Sequence, residues 1–168
     1  MGLVEAGDVD VALVFGYDGL PIAGAGLDWL ALADEPVHLV LPPRHPLAER
    51  AAIGAGDLDS EPWIMGCARC REHAVAVCAA AGFEPRVRHV SDDYVVVQNL
   101  VAVGLGVTLL PHSALEAYRH PEVVVLPSPA WGTRTYGVVH REGAAAVPAT
   151  AAFLRLVRAS AGYSAPRL

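Results

Sequence analysis

Short apolar segments alternate along the chain with segments of helical character, and this alternation limits the chain to a mixed α/β fold. The clearest helix is predicted at Arg69–Ala81, an alanine-rich segment followed by Gly82 just past the helix end and by apolar Phe83 beyond it. Strands are predicted at Asp8–Phe15, Leu27–Ala33, Val37–Leu41, Arg86–Val90, Gly106–Leu110, Val123–Leu126 and Thr135–His140. Strand and helix follow one another at crossover length, which predicts mainly parallel pairing.

Three further helices are predicted, two of them from their terminal residues. Ser91 offers an N-cap hydroxyl for a helix that ends at Gly104. Asp92 and Asp93 fall in the first turn of this helix, where the helix dipole favours negative charge. The other two helices are predicted near Ser113–Arg119 and at Ala149–Ala161.

Composition excludes several classes of protein. Hydrophobic residues make up 54% of the 168 residues, so the chain is not a disordered tail. It has neither an apolar run of about 18 residues nor a signal-like start, which predicts a cytoplasmic protein without a membrane span. The formal net charge is -6 and lysine is absent, so direct DNA binding by this chain alone is not expected.

Two proline-bounded points suggest that the chain forms two lobes. It is expected to leave the first lobe near Pro42 and to return near Pro127. Lobe one is then residues 1–42 with 128–168, and lobe two is residues 43–127. Small ligands tend to bind between such lobes, at the carboxyl ends of strands where helix N-termini converge.

Four sequence phrases, in this order, resemble the effector-binding domain of LysR-type bacterial transcriptional regulators. They are Gly7–Val14 (GDVDVALV), Val37–Ala48 (VHLVLPPRHPLA), Ala81–Pro85 (AGFEP) and Leu100–Pro111 (LVAVGLGVTLLP). The details resemble the actinobacterial branch of the family. The resemblance implies a two-lobed, periplasmic-binding-protein-like α/β domain that binds a small effector, needs no cofactor and catalyses no reaction.

The resemblance also implies what a complete regulator contains. In the family, a helix-turn-helix domain, a linker helix and the first strand and helix of the effector domain precede the Gly7–Val14 phrase. The chain is therefore expected to be truncated at its amino end, with an incomplete first lobe. DNA is expected to be bound only through the helix-turn-helix domain, and a homodimer is expected of the complete regulator.

Candidate ligand contacts cluster around the start of the helix at Arg69. Backbone N–H groups at Gly66 and Cys67 can cradle a carboxylate or phosphate at the positive end of the helix dipole, and the resemblance places this turn in the cleft. An ordinary helix start is the alternative. The remaining candidates are Tyr17 and Asp18 on the opposite wall, with Ile64, Ser91 and Thr108, whose hydroxyl either satisfies a backbone group or faces the ligand.

Three cysteines and a histidine follow one another closely, at Cys67, Cys70, His73 and Cys78. An odd number of cysteines without a signal peptide argues against a disulfide framework. Zinc is the least favoured hypothesis, because all four side chains lie in one segment and Cys78 lies two helical turns beyond Cys70. A redox pair of Cys67 and Cys70 is a second hypothesis, since a helix N-terminus and flanking arginines favour a thiolate. The third hypothesis is that Cys78 fills the core and the other two line the cleft.

Overall fold

The computed structural model describes residues 2–17, 24–50 and 53–160. The chain divides into two compact units. Unit 1 is Met1–Asp34 with Arg134–Leu168, and unit 2 is Glu35–Thr133. The expected crossing points near Pro42 and Pro127 both fall inside unit 2.

Five helices and seven strands make up the described part of the chain. In chain order they are α1 (Gly2–Ala6), β1 (Val11–Tyr17), β2 (Leu27–Leu41), β3 (Pro62–Met65), α2 (Ala68–Ala80), β4 (Arg86–Val90), α3 (Tyr94–Ala102), β5 (Thr108–Pro111), α4 (His112–Ala117), β6 (Val124–Pro127), β7 (Thr133–Arg141) and α5 (Pro148–Ser160). Single 3₁₀ turns lie at Pro46–Glu49, Ala55–Leu58, Pro129–Trp131 and Ala144–Ala146. No helix among residues 2–17, 24–50 and 53–160 has the length and apolar character needed to cross a membrane.

Unit 1 is built on an antiparallel pair, β1 with β7, in which Val11 lies opposite His140. Strand β7 is also hydrogen-bonded to β2. Gly137 allows a close approach in this sheet, because a Cβ there would lie 2.6 Å from the Trp29 ring and would press on the Leu30 carbonyl oxygen. The absence of a side chain at this position therefore lets the Trp29 ring approach β7 closely.

Unit 2 contains the second half of β2, which pairs antiparallel with β5 and β6. Strand β3 pairs in parallel with β4, and Trp63 forms a parallel bridge with Val107. The core of unit 2 is a cluster of buried aliphatic side chains from several elements, namely Val40, Ile64, Val97, Val101, Leu110, Leu115 and Val123. Each such side chain contributes about 1.5–3 kcal/mol to folding when fully buried.

The pairing corrects one expectation from the sequence. Three of the pairings with a described register are antiparallel, β1 with β7 and β2 with both β5 and β6, and one is parallel. Mainly parallel pairing is therefore wrong for these strands. Alternating element types do not determine the direction in which strands distant in sequence meet.

Strand β2 corrects a second expectation. The segments Leu27–Ala33 and Val37–Leu41, predicted as two strands, form one strand of 15 residues. Pro36 is exposed within it. Proline and the residue before it both favour extended backbone, so the strand continues through this position.

The start of α3 corrects a third expectation from the sequence. Asp93, and not Ser91, is the N-cap, because its carboxylate accepts hydrogen bonds from the backbone N–H of Val95 (2.7 Å) and Val96 (3.2 Å). The helix begins at Tyr94, so Asp92 and Asp93 precede its first turn. The Ser91 hydroxyl instead accepts the backbone N–H of Asp93 at 3.2 Å.

Helix α2 confirms the prediction for its segment to within one residue at each end. It runs from Ala68 to Ala80, and Gly82 follows with φ +88°. The N–H of Phe83 donates to the Cys78 carbonyl at 3.2 Å and so closes the helix end.

Candidate functional site

Two turns of unit 2 lie side by side where β3 and β4 end. Met65 lies opposite Val90 at the carboxyl ends of these parallel strands, and the N–H of Ser91 donates to the Met65 carbonyl at 3.0 Å. Gly66–Cys67 leads from β3 into α2, and Ser91–Asp93 leads from β4 into α3. We call Gly66–Cys67 and Ser91–Asp93 the paired turns. They bring together three of the predicted site residues, Gly66, Cys67 and Ser91.

The two helices that start at the paired turns are capped differently. At the start of α3, the carboxylate of Asp93 accepts hydrogen bonds from the backbone N–H groups of Val95 and Val96. Helix α2 is capped by the thiol of Cys67, whose sulfur accepts the N–H of Cys70 at 3.4 Å. A thiol is a weak acceptor, whereas a carboxylate brings a full charge to the helix dipole. The N-terminus of α2 therefore retains more capacity to attract an anion than that of α3.

Gly66 provides space beside the first turn of α2. A Cβ at this position would lie 3.2 Å from Cβ of Cys70 and 3.6 Å from its sulfur. A side chain at residue 66 would therefore push against Cys70 and cover the turn.

The cysteine cluster separates into two environments. The sulfurs of Cys67 and Cys70 lie 2.8 Å apart, and both residues are half-buried. Cys78 is fully buried, and this burial raises the pKa of its thiol to about 11. His73 is also buried, with Nε2 2.7 Å from the Trp131 carbonyl oxygen. Cys78 and His73 therefore belong to the interior, while Cys67 and Cys70 share the turn.

Two of the predicted contacts, Ile64 and Thr108, lie inside unit 2. Ile64 is fully buried in the aliphatic cluster. Thr108 is 2% exposed and lies opposite Val40 in the pairing of β5 with β2. A ligand contact by either side chain stays a prediction.

The remaining two predicted contacts belong to unit 1. Tyr17 is the last residue of β1, opposite Arg134, and its ring meets Phe15 edge-on with centroids 6.0 Å apart. The Arg134 guanidinium lies 4.6 Å from the centre of the Phe15 ring. Asp18 lies outside the described residues. A ligand contact by Tyr17 or Asp18 also stays a prediction.

A polar cluster in unit 2 was not foreseen from the sequence. His38 Nε2 lies 3.2 Å from His112 Nδ1. Glu35 accepts the backbone N–H of Ser113 at 2.6 Å and its hydroxyl at 3.3 Å. Burial, and then the neighbouring His112, hold the pKa of His38 below 6.5. The contact between His38 and His112 depends on the register of β2 against β5, which places His38 opposite Leu110. No local sequence pattern therefore predicts it.

Unit 1 contains a cavity of about 370 Å³. Its walls come from β2, β7 and α5, and the lining residues are Asp28, Trp29, Leu30, His140, Leu154, Arg155 and Arg158. His140 Nδ1 lies 3.7 Å from an Asp28 carboxylate oxygen. None of the predicted site residues that the structure describes lines this cavity.

Comparison with known proteins identifies the family. The family model for the LysR substrate binding domain matches residues 1–162. The HTH-type transcriptional regulator MetR of Escherichia coli K12 is 32% identical over 159 residues, which are 92% of this chain and 48% of MetR. The chain thus spans about half the length of this curated relative.

Solved structures agree on the fold. The C-terminal domain of a probable LysR family transcriptional regulator from Rhodococcus sp. RHA1 is 27% identical, with a TM-score of 0.77, over 93% of this chain and 77% of that one. The regulatory domain of Synechocystis PCC6803 CcmR, in complex with 2-PG, has a TM-score of 0.81 at 20% identity over 96% and 77% of the two chains. The expected periplasmic-binding-protein-like α/β fold is confirmed.

These matches also bear on activity, because the family consists of regulatory domains and not of enzymes. The resemblance noted in the four sequence phrases is confirmed by a family match that spans nearly the whole chain. The chain belongs to the family of LysR substrate binding domains.

Proposed function

We propose that this chain is the effector-sensing part of a bacterial transcriptional regulator and that it binds a small organic anion. Its membership of the LysR substrate binding domains supports the regulatory role. The paired turns support the ligand class. The difference in capping between α2 and α3 is the observation that carries this proposal.

The anion would bind at the N-terminus of α2. Backbone N–H groups at a helix start point outward and carry partial positive charge, so they attract a carboxylate or phosphate. At α3 that position is already taken by Asp93. At α2 the thiol of Cys67 is the capping side chain, and Arg69 in the first turn adds positive charge. The Ser91 hydroxyl on the neighbouring turn is the side chain that would donate to the same ligand.

Sensing then requires a difference in affinity between conformations. A ligand shifts a conformational equilibrium only by the ratio of its affinities for the two states. In the complete regulator this shift would reach a helix-turn-helix domain, as the name of MetR indicates for that relative. The same role predicts a homodimeric regulator that acts on DNA in the cytoplasm.

The experiment is a thermal-shift and calorimetric screen with inorganic phosphate, small dicarboxylates and benzoate as probes. A ligand at about 100 times its dissociation constant adds about 2.7 kcal/mol to the stability of the native chain. Replacing Ser91 by Ala removes a hydrogen bond to a charged group, which is worth about 1.5–3 kcal/mol. We therefore expect Ser91→Ala to weaken binding at least about tenfold.

Ser128→Ala is the matched control. The Ser128 hydroxyl accepts the backbone N–H of Ala130 at 3.2 Å, just as Ser91 accepts that of Asp93 at 3.2 Å, but Ser128 caps a different turn. Equal weakening in the two variants would refute the site at the paired turns. A native chain that no anionic probe stabilises would refute the ligand class.

A further inference from the structure

We propose that Cys67 and Cys70 form a reversible dithiol–disulfide pair, oxidised by a peroxide. The two sulfurs already lie 2.8 Å apart. A disulfide bond measures about 2.05 Å, so the sulfurs need to close by less than about 1 Å. Cys67 is the N-cap of α2 and Cys70 lies in its first turn. The disulfide would therefore join the N-cap of α2 to a residue in the first turn of the same helix.

Access and space both permit this reaction. Each of the two residues is half-buried, so a small oxidant reaches them from solvent without unfolding of the chain. Gly66 has no side chain beside this pair, whereas a Cβ there would lie 3.2 Å from Cys70 Cβ and 3.6 Å from its sulfur. The first turn of α2, all of which the structure describes, contains Arg69 and no acidic residue, so no neighbouring carboxylate on that turn opposes a thiolate.

The geometry assigns the first step to Cys67. Its sulfur lies at the N-cap of α2 and accepts the N–H of Cys70 at 3.4 Å. The Cys67 thiolate attacks one oxygen of hydrogen peroxide, an S–O bond forms, and the O–O bond breaks to release hydroxide, which takes up the proton lost by the thiol and leaves as water. The Cys70 thiolate then attacks the Cys67 sulfur, the S–S bond forms and the S–O bond breaks, releasing a second water. Two thiols and one peroxide thereby give one disulfide and two waters, and each water takes up one thiol proton.

Cys78 does not take part. It is fully buried in α2, and the pKa of about 11 keeps it in the unreactive thiol form at neutral pH. His73 is buried as well, with Nε2 2.7 Å from the Trp131 carbonyl oxygen. The third cysteine therefore serves as an internal control for accessibility.

Closing the pair would alter the proposed ligand site. The disulfide ties the N-cap of α2 to its first turn and removes a thiol from the acceptor position next to the helix N–H groups. We expect the oxidised chain to bind the anionic probe with an affinity different from that of the reduced chain. This consequence rests on the proposed function, whereas disulfide formation does not.

The test begins with the fully reduced native chain and a small excess of hydrogen peroxide. Intact mass spectrometry after alkylation of free thiols should show loss of two hydrogen atoms and one alkylated cysteine in place of three. Peptide mapping should join Cys67 to Cys70, and a thiol reductant should restore the starting mass. In the Cys70→Ser variant, Cys67 should stop at a sulfenic acid that a dimedone probe captures.

Three outcomes would overturn the proposal. They are a linkage that includes Cys78, disulfide-joined dimers in place of the internal link, and oxidation to sulfinic acid without a disulfide. The Cys78→Ala variant should oxidise as the wild-type chain does, and mapping of the wild-type chain gives the same answer if that variant folds poorly. The anion screen repeated on the native chain kept fully reduced separates failure of the ligand site from failure of the redox pair.

Discussion

The cap of α3 leads to a quantitative prediction. Replacing Asp93 by Ala removes the acceptor of two backbone N–H groups, those of Val95 and Val96. Loss of an N-cap costs about 0.5–2 kcal/mol, typically about 1 kcal/mol. Loss of the charge at the helix start adds about 0.3–1 kcal/mol. We expect the free energy of unfolding to fall by about 1–2 kcal/mol.

Two further variants divide this cost into its parts. Asp93→Asn keeps a side-chain acceptor and loses only the charge, so it should cost about 0.3–1 kcal/mol. Asp92→Ala removes the same type of side chain one residue earlier, outside the cap, and should cost at most a few tenths of a kcal/mol. The expected order of destabilisation is Asp93→Ala, then Asp93→Asn, then Asp92→Ala.

Urea unfolding followed by circular dichroism measures the free energies, and hydrogen exchange reports the local effect. The amides of Val95 and Val96 should lose protection in Asp93→Ala and keep it in Asp92→Ala. Equal stabilities of these two variants would refute the assignment of the cap. A larger loss in Ser91→Ala than in Asp93→Ala would return the cap to Ser91.

Three other predictions concern packing, pH and thiol reactivity. Gly137→Ala should lower the free energy of unfolding, measured by urea denaturation, by about 1–3 kcal/mol or more, because the new methyl group would lie 2.6 Å from the Trp29 ring. An unchanged free energy of unfolding would show that the sheet rearranges to accommodate the methyl group. Burial holds the pKa of His38 in the folded chain below 6.5. As pH falls, the His38 imidazole is therefore protonated at a higher pH in the unfolded chain than in the folded chain. The free energy of unfolding should accordingly decrease as pH falls below about 6.5. The loss between about pH 7.5 and about pH 5.5 should be smaller in His38→Gln, and an equal loss in variant and wild type would contradict the assignment to His38. Cys78 should be alkylated much more slowly than Cys67 and Cys70 in the native chain and at a similar rate in denaturant, as peptide mass spectrometry measures; equal native rates would contradict its burial.

Local features of the chain were predictable from local patterns. Helix α2 follows from an alanine-rich segment and from Gly82, which adopts φ +88° just past the helix. The family was recognisable from the Leu100–Pro111 phrase and its companions, since a family match covers residues 1–162. The proximity of Gly66 and Cys67 to a helix start was also predictable, because a strand and a helix flank them directly.

The cap of α3 shows where local patterns become ambiguous. Ser91, Asp92 and Asp93 are all suitable N-cap residues, and the sequence offers no way to choose among them. The choice depends on where β4 ends, and the N–H of Ser91 is held by the Met65 carbonyl of the neighbouring strand. That bond extends the strand ladder past Val90 and delays the helix until Tyr94.

The amino-acid sequence by itself determined the mixed α/β character, the helix that ends before Gly82, the family and the residue types of the turn at Cys67. Only the tertiary structure decided the directions of the strand pairs, the continuity of β2, the contact of His38 with His112 and the placement of Ser91 beside the β3–α2 turn. The physical reason is range. Capping, periodicity and turn chemistry act over a few neighbouring residues, whereas strand register joins residues 74 apart, as in the contact of His38 with His112.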